Sequence, residues 1–74
     1  VSARMALTMH KIAANTSLAP ALRHDACRMR DDDIANFESG AAVVRQHARF
    51  SATGETVFSR AEQAMTALKV KVAG

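Results

Sequence analysis

Seventy-four residues, 49% of them apolar, with a net charge of +3, describe one small domain or part of something larger. The aromatics are Phe37, Phe50 and Phe58, and Cys27 is the only cysteine. A disulfide scaffold and extended disorder are therefore excluded, and no run of about 18 apolar residues is present to span a membrane.

The first sixteen residues are weakly patterned. Within Ala3 to Ala14, Met5, Met9 and Ile12 share one face, too few for a helix of this length to be stable alone. Asn15, Thr16 and Ser17 form a turn and cap cluster. With Ser17 as N-cap, Pro20 falls in the first turn, where its missing N–H does no harm. Leu18, Leu22, Ala26 and Met29 then make a helical stripe, which predicts a short helix over residues 17–30 closed by Arg28 and Arg30.

Asp31, Asp32 and Asp33 follow, and acidic side chains suit the start of a new helix. Ile34, Phe37, Ala41, Val44 and Ala48 recur at steps of three and four, as do Phe58, Ala61, Met65, Leu68 and Val72. The two seams do not share a register, so the chain must break between them. Ser51, Ala52, Thr53 and Gly54 supply that break. Ser59 with Glu62 also fits a capping box, which would start the last helix later. The fold class expected is all-α: an antiparallel helical hairpin over about 34–50 and 56–72, bundle- or coiled-coil-like, with one or two shorter N-terminal helices. The whole of 1–74 reads as one domain, with the hairpin occupying 33–74. Alanines in both seams suit a tight hairpin, and Phe50, outside the first seam, suits a surface anchor near the turn.

Charge is blocked along the chain. Residues 1–30 set Arg4, Lys11, Arg23, Arg28 and Arg30 against Asp25 alone, while 31–44 carry only acids. Helix punctuation explains most of this pattern. A surface for anions is the other reading, with Arg23, Arg28, Arg30, Arg45, Arg49 and Arg60 as phosphate contacts. No aromatic interleaving or nucleic-acid motif accompanies them. The acid-free stretch 1–24, rich in Ala, Ser and Thr, has the composition of an organelle transit segment. An intracellular location, including the mitochondrial matrix, is therefore the expectation. A first residue of Val suits a processed chain or a piece of a longer one.

Chemistry-bearing clusters are sparse. His24 and Cys27, spaced i and i+3, offer two zinc ligands where a structural site needs four. Cys27 as a nucleophile would need a base and a pocket. The Asp31–Asp33 run lacks the alternation and glycine turn of a calcium loop. No catalytic residue, metal or cofactor is expected. A thin, alanine-rich core points instead to a non-catalytic helical interaction protein, an accessory or structural subunit of a larger assembly. Its interface or core seam would be Ile34, Phe37, Val44, Phe58, Met65, Leu68 and Val72, and its partner another protein or a second copy. The alternative is a basic helical protein associated with nucleic acid, as in a ribonucleoprotein.

Overall fold

A computed structural model describes residues 2–74. They form three helices: α1 (Ser2–Ala14), α2 (Pro20–His47) and α3 (Ala52–Ala73). The all-α expectation is met, and α2 and α3 run antiparallel as a hairpin. The boundaries differ in instructive ways.

Residues 20–47 form one helix of 28 residues, about 42 Å long, which accounts for the 43 Å length of the molecule. Asp31, Asp32 and Asp33 lie inside it and start nothing. An interior Asp costs at most about 0.7 kcal/mol relative to Ala, and no Gly or Pro stands nearby to stop the helix. Asp31 instead accepts from Nε of Arg30 at 3.1 Å. The buried stripe also continues through the acidic run, from Ala26 to Ile34, so packing favours one helix over two.

The start of α2 also differs from expectation. Ala19 is its N-cap, with no side-chain bond, and Pro20 takes the first helical position, where proline's fixed φ suits the helix. Ser17 instead donates its N–H to Oδ1 of Asn15 at 3.0 Å, within the turn. The break before α3 falls at Ala48–Ser51 rather than 51–54. Ala48 leaves the helix with extended dihedrals and so drops out of the first seam. The Ser51 hydroxyl accepts from the Gly54 N–H at 3.1 Å, and a serine caps in this way only from just ahead of the first turn. Gly54 therefore sits in α3's first turn. A Cβ there would lie 3.4 Å from Phe50 Cδ1 and from Ser51 Oγ. Ser59 and Glu62 are mid-helix and cap nothing.

α1 folds back antiparallel along the N-terminal half of α2. Arg23 Nε donates to the carbonyl of Ala13 at 3.2 Å, satisfying an end of α1. Farther along, Arg30 reaches His10 Nδ1 at 3.2 Å. Because arginine can only donate, that ring nitrogen is the acceptor of the contact. Ala6 and Ala13 are buried against α2, and the backbones approach closely. The tight pair is thus α1–α2, whereas Cα atoms of α2 and α3 rarely come within 8 Å. Phe37, Met65 and Arg45 stand between α2 and α3 and hold them apart, so the alanines at 41 and 61 do not produce close packing. The core is where all three helices overlap: Ala6, Ile34, Met65 and Leu68, with Ala3 and Phe37 packed on it.

Candidate interaction surfaces and the arginine latch

The α2–α3 turn is built around Arg45. Its Nη1 donates to both Glu55 oxygens, at 2.7 and 2.8 Å, and Nε donates to Glu62 Oε1 at 3.2 Å. Nη2 bonds Glu62 as well and reaches Ser59 Oγ at 3.3 Å. The guanidinium lies 4.7 Å from the Phe58 ring centre and 5.9 Å from that of Phe50, within cation–π range. Phe58 in turn stacks between Phe50 and Phe37, at centroid distances of 5.2 and 6.4 Å.

The hydrogen bonds that Arg45 donates to Glu62 and then to Glu55 raise its pKa further above its already high ordinary value. The hydrogen bond from Arg45 holds the Glu55 carboxyl below the usual carboxylate range. Two carboxylates around one guanidinium leave the cluster net negative. It latches helices together and offers an anion little.

The other arginines of the expected anion face are scattered. Arg23 and Arg30 bond within the α1–α2 pair, and the Arg30 side chain is only 11% exposed. Arg28 lies 3.6 Å from Asp25 on the surface. Arg49 and Arg60 are exposed and make no ion pair among the described residues. The six do not gather on one face.

Of the seam residues, Ile34, Met65 and Leu68 are buried. Phe37, Val44 and Phe58 are half-buried, and Val72 is 37% exposed. Val72 borders a groove of about 280 Å³ with Ile34 and Asp31. A larger groove of about 610 Å³ separates α2 from α3 over Phe37, Ala41 and Met65. The Lys69–Glu38 ion pair, 2.7 Å, stands between the two. His24 is exposed and Cys27 half-buried, and no three His, Cys, Asp or Glu side chains are gathered for a metal among the described residues. No helix among them is long and apolar enough to cross a membrane.

Sequence reasoning missed the alanine face of α1. It weighted Met5, Met9 and Ile12, whereas Ala3, Ala6, His10 and Ala13 turn toward α2. Alanines repeating at helical spacing were the available signal. No protein-family model, curated protein or solved structure matches this chain.

Proposed function

We propose that this chain is a non-catalytic helical interaction protein, a small structural or accessory subunit whose fold is completed by another chain. One observation carries the reading: among the described residues, exposed large apolar side chains outnumber fully buried ones three to one. Among the described residues, Ile34, Met65 and Leu68 are buried and Met9, Ile12, Leu18, Phe37, Val44 and Phe58 half-buried, while Met5, Leu7, Leu22, Met29, Val43, Phe50, Val57, Val70 and Val72 are exposed. Scattered apolar exposure is normal. An inversion of this ratio in so short a chain instead matches a subunit whose apolar faces await a partner.

Thermal unfolding followed by circular dichroism at widely separated protein concentrations tests the proposal. A binding partner or self-association raises the midpoint by mass action. The expected result is a broad, low-temperature melt when dilute, sharpening with concentration or with added partner. A sharp, concentration-independent melt of a monomer above about 65 °C would overturn it.

The alternative, a basic nucleic-acid-associated protein, has less support. Arg23, Arg30 and Arg45 are engaged within the fold, leaving Arg49 and Arg60 as the exposed pair nearest each other in sequence. Binding to nucleic acid that weakens steeply with salt would favour it.

A further inference from the structure

Leu22, Met29, Asn36 and Val43 follow one another on α2 at intervals of seven. Seven residues fall about 20° short of two full turns, so the four form one slowly winding row. All are exposed, Leu22 and Val43 by 57% and Met29 by 48%. The row lies to one side of the Ala26–Arg30–Phe37 line that faces the core. The positions bordering the α3 grooves, Asp31, Ala35, Glu38 and Ala42, lie to the other. On α1, Met5 (44% exposed), Met9 and Ile12 likewise flank the Ala6–Ala13 line. Right-handed helices running antiparallel bring these two flanks to the same side of the pair. The result is one apolar face, rich in methionine, directed away from α3. Asn36 interrupts the row near the level where α1 begins, so Leu22 and Met29 are the α2 members of that face. A single polar residue in such a row is a device that sets register between packed helices.

The amount of surface indicates what is missing. The chain exposes 5340 Å², whereas a compact monomer of 7.9 kDa exposes about 4,400 Å². The excess, about 900 Å², is close to the ~800 Å² each partner buries in a standard interface. The radius of gyration tells the same story, 13.8 Å against about 11 Å for a compact chain of this length.

Charge indicates the occupant and its orientation. Asp25 and Asp32 stand seven apart on α2, along the outer edge of the row, with Arg28 between them 3.6 Å from Asp25, so that edge is net acidic by one charge. α1 carries no acid, and its bases, Arg4 and Lys11, are also seven apart. The contacts of Arg23 with Ala13 and of Arg30 with His10 set the two helices level with each other. Lys11 thereby lies within about one turn of the level of Asp25, and Arg4 within about one turn of Asp32. A two-fold axis parallel to the helices keeps every residue at its own level and sets α2 of one copy against α1 of the other. Asp25 and Asp32 then share an outer flank with Lys11 and Arg4 of the second copy. Stacking α2 on α2 would instead set two net-acidic edges against each other and leave Arg4 and Lys11 unmatched. We propose that a second copy of this chain covers this face, so that α1 and α2 of both copies form a four-helix bundle. The proposal rests on the interaction reading above and names the partner.

Light scattering on the full chain across a dilution series, together with its melting, tests it. The wild type should be a dimer of twice the monomer mass. Met29→Glu, at an exposed position, should weaken dimerisation by at least about thirty-fold, the effect of removing one hot-spot anchor, with monomer helicity unchanged by circular dichroism. Leu22→Glu should act the same way. Val57→Glu, on α3 and 63% exposed, should leave the dimer intact. A dimer indifferent to both Met29→Glu and Leu22→Glu would overturn the proposed face. A wild type that stays monomeric at every concentration and melts broadly would overturn the second copy but leave the interaction reading standing. A monomer with a sharp, concentration-independent melt would overturn both.

Discussion

Arg45 shows how one residue can be removed from one role by serving another. Its exposed position and its spacing from Arg49 suit an anion contact, yet Glu55 and Glu62 claim its donors. This pairing has a signature in pH. The Glu55 carboxyl is held below its ordinary value by Arg45, so its contribution is fully present above the unfolded value of about 4.3 and is lost as pH falls through the folded value. Glu55→Gln should therefore lower the melting midpoint at pH 7. The gap from wild type should close as pH falls below about 4, measured by paired melts across that range. Leu68 is the most deeply buried large side chain, at 1% exposure. Truncation to Ala removes its contacts and leaves a cavity, at a cost of about 2–5 kcal/mol. Denaturant titration of Leu68→Ala should show that loss, a large fraction of the whole stability of a domain this small.

Helix ends and helix faces obey different rules here. α3 begins where Ser51 can cap it, and Ser51→Ala should cost about 1 kcal/mol, read as a lower urea midpoint with unchanged slope. α1 docks through alanines, which have no side chain to move aside. Ala6 is fully buried, so Ala6→Leu should push α1 away from α2 at a cost of about 1–3 kcal/mol. Hydrogen exchange in that variant should accelerate in α1 before α3, because α1 depends most on that contact. Across the wider α2–α3 gap, where Phe37, Phe58 and Arg45 fill the space, packing tolerates more change.

At the scale of the whole molecule, a long central helix carries a partner on each half, α1 toward its start and α3 toward its end. The three overlap only near the middle, so the core stays small and both ends of α2 remain two-helix structures. Two packed helices cannot surround an apolar side chain on all sides, which is why Leu22, Met29 and Val43 stay in water. A chain of this shape gains stability by adding a layer. Its melting midpoint should therefore respond to protein concentration more than to salt, since most of its ion pairs lie at the surface and such pairs contribute little.

The helices and the hairpin were legible in the sequence because they follow from local causes. Apolar residues three and four apart mark the two seams, and their mismatched registers require a break near residue 50, although Ser51 to Gly54, which suggested that break, form the cap and first turn of α3 instead. The same local reasoning failed at Asp31–Asp33, since an acidic run is compatible both with a cap and with an interior. Only the burial stripe that packing continues from Ala26 to Ile34 favours the interior. Nor could spacing show that Arg45 is bound while Arg49 and Arg60 are exposed, because its carboxylate partners belong to another helix. The closeness of α1 to α2 was equally hidden, since alanine carries almost no hydrophobic signal yet permits the closest approach. What the sequence determined by itself was the helical class and the hairpin, through periodicity, while most helix ends and caps fell elsewhere than the local signals indicated. What the tertiary structure decided was which faces meet, because that depends on how side chains distant in sequence fit together in space.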